Sequence, residues 1–345
     1  MLISLDLGHR RLSLSVPGDL SVESLAPLLV EACGADAGAT WTLGPRAGAP
    51  LRPGQTLQDA GVWPGSALVL RPTGAGERRR PRVDRLERSI AAAPWEAGVV
   101  IAVASFRRGV GATTIAALLA ALLATVLRRP PLAIDADLET RALSQHLAPR
   151  LRLRPDTYLD VVAGRLRLGD LAETGQDPYG VALLPAPERC ETAPDAAACA
   201  ALVTRLKSRG LVVLLDCPTG FATPWGQAAW DTADQFVMVA DGRADDLPAL
   251  APAASSLTAA GIPVGAVLNR TRSRSRIVRA AAALGLAGPV VGVADDPAAS
   301  GQLRAGLLPW VAAPPGWRLA LAELAAGLAG QLAQPNRPAN PAATS

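Results

Sequence analysis

Apolar and polar residues alternate over Leu2–Leu7 and again over Arg11–Val16, with Gly8-His9 between them, which predicts a β-hairpin. Ser21 is placed to cap a helix that follows, with Ser24 at the N3 position where a glutamate would complete a capping box. Leu25, Leu28, Leu29 and Ala32 recur at helical spacing, and Gly34 ends the run. A strand is predicted around Thr40–Leu43. After a Pro/Gly-rich loop and the segment Thr56–Gly61, a last strand covers Ala67–Arg71. Residues 1–72 thus read as a small α+β unit.

Residues 73–97 break this pattern with charge, proline and glycine, and read as a linker, helical near its end. Arg78, Arg79, Arg80, Arg82, Arg85 and Arg88 could meet nucleic-acid phosphates or lipid headgroups, but Glu77, Asp84 and Glu87 interleave with them. A solvated linker is the expectation.

From Val99 the chain changes period. Apolar runs at Val99–Ala104, Leu132–Ala136, Val181–Leu184, Leu211–Leu215, Phe236–Ala240 and Val264–Leu268 alternate with helical stretches. Continuously apolar strands need cover on both faces, so a mostly parallel, doubly wound α/β sheet is predicted over residues 98–333. Leu319–Leu332 reads as a helix covering that sheet, because it lacks the basic face of a membrane anchor. Residues 334–345, rich in Pro, Ala and Asn, read as a disordered tail.

Composition adds limits. The run Ile115–Val126 is shorter than the roughly 20 residues a bilayer-spanning helix needs. The N-terminus lacks the unbroken apolar core of a signal peptide. A cytoplasmic protein without an integral membrane segment is expected. The four cysteines form no CxxC pair, which points to reduced thiols rather than a zinc site. Net charge is +4, with a single lysine, Lys207, so charge alone implies no broad nucleic-acid surface. The strongest nucleic-acid candidate is the run Arg270, Arg272, Arg274, Arg276 and Arg279, read as one side of an extended loop; a solvated loop is the preferred reading.

The first strand of the second unit ends in Ser105-Phe106-Arg107-Arg108-Gly109-Val110-Gly111-Ala112-Thr113-Thr114 and runs into a long apolar helix. Strand, glycine loop, hydroxyl pair and helix together form the setting in which backbone N–H groups cradle phosphate. The segment resembles the Lys-Gly-Gly-x-Gly-Lys-Thr-Thr loop of ParA/MinD-type ATPases. The first lysine becomes Arg107, the next glycine Arg108, and the second lysine Ala112, while Gly109, Gly111, Thr113 and Thr114 are kept. Three further segments follow in the family's order. "LAIDADLE" supplies Asp135 and Asp137, and the resemblance gives Asp137 the role of orienting an attacking water. Asp137 equally suits a cap for Leu138–Leu147. "LVVLLDCPTG" supplies Asp216, matched to the aspartate that holds Mg2+ through water alongside Thr113, and a switch ending in Gly220. "VGAVLNRTR" places Asn269 where the family contacts adenine, although Asn-Arg at a strand end also suits a turn. A later loop, "VGVADDPAAS", matches through Asp295–Pro297.

The small unit's ββαββ order, with its Leu-Gln-Asp-Ala-Gly turn, resembles the ubiquitin-like modules of actinobacterial type VII secretion components. That likeness implies docking on a secretion-system component. The ParA/MinD likeness implies a homodimer using ATP and Mg2+, weakly or not at all because Ala112 carries no cation. The expected protein is a weak ATPase or pseudo-ATPase acting as an assembly scaffold. A septum- or pilus-positioning factor is the alternative, and a DNA-partitioning ATPase comes third.

Overall fold

The computed structural model describes residues 1–6, 11–33, 40–45, 50–73, 75–148, 153–166, 180–187, 193–242, 247–308 and 310–332. The expected turn at Gly8-His9, the stop at Gly34 and the tail from 334 lie outside these residues. The chain divides into two compact units, Met1–Arg82 and Val83–Ser345.

The first unit is a four-stranded mixed sheet with one helix. Strands β1 (Leu2–Asp6), β2 (Arg11–Ser15), β3 (Thr40–Pro45) and β4 (Ala67–Thr73) take the order β2-β1-β4-β3. The outer pairs are antiparallel and the central pair β1·β4 is parallel. Helix α1 (Val22–Ala32) buries Val22, Leu25, Ala26, Leu29 and Val30 at i, i+3, i+4 spacing. Leu28 falls off this stripe and is 53% exposed. Ser21 takes the N-cap position, but its hydroxyl pairs with that of Ser24 at 3.0 Å and caps no N–H. Serine at N3 offers a short hydroxyl partner where a glutamate would reach back to the backbone.

The segment expected as a linker holds helix α2 (Ala75–Ala91). Its second half is part of the larger unit: Ile90 and, just beyond, Trp95 lie in that unit's core. Glu87 accepts hydrogen bonds there from Trp310 Nε1 (2.8 Å) and from Arg318 (3.5 Å).

The larger unit is a seven-stranded, all-parallel sheet. Strands β5 (Val99–Ala104), β6 (Leu132–Asp135), β7 (Ala182–Leu184), β8 (Val212–Asp216), β9 (Gln235–Asp241), β10 (Val264–Asn269) and β11 (Val290–Gly292) take the order β11-β10-β9-β5-β8-β6-β7. Central β5 sends Val99, Ile101 and Val103 into one core layer and Val100, Ala102 and Ala104 into the other. Helix α3 (Ala112–Val126) is buried without interruption from Ile115 to Leu123, as its all-round apolar sequence requires. The C-terminal helix Pro315–Leu332 buries Leu321, Leu324 and Leu328 in the same layer, so it covers the sheet as expected. Among the described residues no helix is long and apolar enough to cross a membrane.

The arginine run is not an extended loop. Ser273 accepts from the Arg276 N–H and caps a helix, Arg274–Leu284, that carries Arg274, Arg276 and Arg279.

Candidate functional site

The chain passes from β5 to β6, β7 and β8 on one side and then crosses to β9, β10 and β11 on the other, so the carboxyl end of β5 lies at a topological switch point, where α/β sheets take ligands. Three strand ends converge there: β5 with the glycine loop, β8 with Asp216, and β10 with Asn269. The loop's turns require Gly109 (φ 76°) and Gly111 (φ 94°). At Gly111 an added Cβ would also lie 2.2 Å from the Asn269 amide nitrogen. Gly111 caps α3 without a side-chain bond, and the first turn of that 15-residue helix carries no acidic residue. Its N–H groups are therefore available to an anion. Ala112 packs its methyl partly against the core, so no side-chain cation arises at this position.

Asp216 is 1% exposed, and neither of its oxygens has a hydrogen-bond partner among the described residues. Burial pushes its carboxyl well above the usual carboxylate range; neighbouring Asp135 adds to the rise, and the Thr113 hydroxyl, close by but not in a well-formed hydrogen bond, opposes it. Asp135, its register partner on β6, accepts from the Ser144 N–H (2.8 Å) and hydroxyl (2.5 Å). Burial still raises Asp135 to about 6. An orphaned, buried carboxylate beside a hydroxyl fits a hydrated divalent cation, which would supply the missing partner for Asp216.

Other expected site residues are engaged within the chain. Asn269 donates its amide to the Val110 carbonyl (2.8 Å) and accepts from the Arg270 N–H (2.9 Å). Asp137 accepts from the Glu139 and Thr140 N–H groups, both at 3.2 Å, and from the Thr140 hydroxyl at 2.8 Å. It caps a turn rather than a helix, because helix Ala142–Leu147 begins further on. The Gly220 N–H donates to the Ser105 carbonyl at 2.8 Å, tying the segment after β8 to the start of the glycine loop. Phe221 reinforces that tie edge-on against Phe106, with ring centroids 5.4 Å apart.

Arg107 and Arg108 are exposed on the loop's rim. Arg108 pairs with Glu139 through both guanidinium nitrogens, at 2.5 and 3.1 Å. Together they edge a cavity of about 220 Å3 whose walls include Asp137, Pro218, Thr219 and Trp225. Thr114 opens α3 beside Thr113. Sequence reasoning missed two participants, Arg270 and Asp241. Arg270 bonds the Gly109 carbonyl and Asp241, each at 2.7 Å. The Asn-Arg pair at the end of β10 was visible, but the side to which the arginine turns was not.

A glycine loop between β5 and a buried helix, facing an orphaned aspartate on the neighbouring strand, defines a P-loop nucleotide-binding fold. Residues 1–70 match the family model of the WXG100 protein secretion system (Wss) protein YukD. The cell division ATPase MinD of Pyrococcus furiosus aligns at 26% identity and a TM-score of 0.55, over 68% of this chain and 99% of that one. The septum site-determining protein MinD of Pyrococcus horikoshii OT3, solved with Mg-ADP, aligns at 23% and 0.54 over 68% and 99%. The MinC:MinD complex of Aquifex aeolicus gives 22% and 0.54 over 67% and 96%. No curated protein matches the chain. The chain joins a YukD-type ubiquitin-like domain to a P-loop domain of the ParA/MinD fold.

Proposed function

We propose that this protein is a cytoplasmic accessory factor of a type VII-like secretion system, in which a ParA/MinD-like domain serves as a dimerising scaffold with a degenerate nucleotide site. The YukD-type domain supports the pathway and a docking role on a secretion component. The observation that carries the mechanism is Ala112 in an otherwise built phosphate loop. Backbone N–H groups from Gly109 to Thr114 would hold the phosphates; Thr113, and Asp216 through water, would hold Mg2+. Bound Mg2+ would neutralise phosphate charge. The P-loop lysine normally bridges the β- and γ-phosphates. Losing one charge-assisted hydrogen bond costs about 1.5–3 kcal/mol, a roughly ten- to hundredfold loss of affinity. Hydrolysis suffers more, because stabilising charge in the transition state is often the largest catalytic contribution. Exposed Arg107 takes the position from which the family's first lysine reaches a partner's nucleotide. The likeness to MinD favours one second reading, a septum-positioning factor.

Phosphate release by the purified chain with Mg-ATP tests the enzymatic half of this reading. Negligible or very slow turnover is expected. Robust turnover abolished by Asp137→Ala would show a working ATPase and overturn it.

A further inference from the structure

Arg270 stands in a conformation disfavoured for a residue with a Cβ, at φ 59°. Its guanidinium uses both arms of its fork. Nη1 bonds the Asp241 carboxylate and Nη2 bonds the Gly109 carbonyl, each at 2.7 Å. The side chain is 27% exposed and that of Asp241 11%. The anchoring end is itself fixed. Asp241 and Asn269 are register partners at the ends of β9 and β10, and the Gly242 N–H donates to the Asn269 carbonyl at 2.6 Å. Arg276 adds a bond to the Gly242 carbonyl. Beside this, the Asn269 amide holds the next loop carbonyl, that of Val110.

Two consecutive carbonyls of the phosphate loop are therefore gripped from the same strand end. In a trans peptide the C=O and the following N–H point to opposite sides, and the described chain has no cis bond. Gripping the carbonyls of Gly109 and Val110 thus turns the N–H groups of Val110 and Gly111 to the far side of the loop. We propose that Arg270, seconded by Asn269, is a positioning residue that holds the phosphate loop in its anion-accepting shape from outside. The inside of the loop has no side-chain cation at 112 to order it, so the shape comes from the clasp on β10. Preorganisation of this kind removes the ordering cost that a bound phosphate would otherwise meet. The clasp goes beyond the scaffold reading and holds or fails independently of it.

Arg107 and Arg108 make the loop's opening readable, because trypsin cleaves after arginine only when the local chain can unfold into its active site. Initial rates of cleavage after Arg107 and Arg108 are measured by mass spectrometry on the full chain without nucleotide. Cleavage after Arg128 and Arg209, both exposed and remote from the clasp in sequence, serves as reference. Arg270→Gly removes the fork while relieving the left-handed backbone. It should raise cleavage in the loop about ten- to a hundredfold and leave the reference sites unchanged. Arg270→Lys retains one charged donor and should recover part of the protection. Asp241→Asn, which weakens the anchor, should give an intermediate rate. Unchanged loop cleavage in Arg270→Gly would overturn the proposal, as would a rise shared equally by the reference sites. Should Arg270→Gly not fold, loop cleavage at wild-type rates in both Arg270→Lys and Asp241→Asn would overturn it equally. Since no nucleotide is present, failure here is distinct from failure of nucleotide binding.

Discussion

Asp135 and Asp216 face one another across adjacent strands, equally buried, and yet the fold treats them differently. Ser144 brings its N–H and hydroxyl to one oxygen of Asp135 and then accepts from the Ala186 N–H at 3.1 Å, so half of this carboxylate is built into the packing, while its Oδ1 has no partner among the described residues. Asp216 has no such partner. The contrast extends around the site: Asn269 and Asp137 are satisfied by their own chain, whereas Asp216 and the first turn of α3 are left open. Buried polar groups are normally paired, so the open ones mark where the molecule expects something from outside. Asp216 and the first turn of α3 keep that demand, whereas Asn269 and Asp137 meet theirs within the chain.

Burial raises both carboxyls, and the largest expected effect is the pH dependence this gives Asp135. Burial raises the Asp135 carboxyl in the folded state to about 6, from the 3.8 of a solvated aspartate. The native state then binds more protons than the unfolded one between these values. Asp135 therefore favours folding below about pH 4, and that contribution is lost as pH rises through about 6. The shift corresponds to about 3 kcal/mol. Asparagine at 135 can still accept from Ser144 but has no charge to bury. Urea unfolding at several pH values should show wild-type stability falling relative to Asp135→Asn by about this amount between pH 4 and pH 7. Parallel profiles would mean that the Ser144 bonds let Asp135 ionise without cost, and its contrast with Asp216 would be sharper than burial alone implies.

A smaller effect belongs to the rim. Arg108 and Glu139 meet with good geometry, but their side chains are 65% and 70% exposed. Exposed pairs of this kind contribute little to stability. Arg108→Ala and Glu139→Ala should leave the thermal midpoint unchanged within error. A clear drop in either variant would show that the pair closes the cavity edge as part of the fold, and not as a loose surface contact.

Much of this arrangement was legible in the sequence. The sheet could be read because its strands are continuously apolar, as burial on both faces demands. Strand β11 was not, since Val290–Gly292 spans three residues between Pro289 and Val293. Helix α2 was obscured by Pro81 and by a run of charge whose apolar stripe, Val83 and Ile90, is sparse. The arginine run was misread because alternating charge suggested extension, whereas the Ser273 cap decided for a helix. Within the site, the glycine loop, Thr113 and Asp216 lie in contiguous motifs and could be placed by them. The clasp of Asn269 and Arg270 depends on a left-handed turn after β10 and on a contact 161 residues away in sequence, which no local pattern encodes.

If the proposed phosphate cradle and magnesium site persist without a loop lysine, nucleotide binding should be weakened but not lost. Calorimetric titration of ATP, with and without Mg2+, on the wild type and on Ala112→Lys tests it most directly. Weak, magnesium-dependent binding by the wild type is expected, tightened about ten- to a hundredfold in Ala112→Lys as the lysine regains its phosphate contacts. Tight binding by the wild type that is indifferent to Mg2+ and unchanged in Ala112→Lys would contradict it.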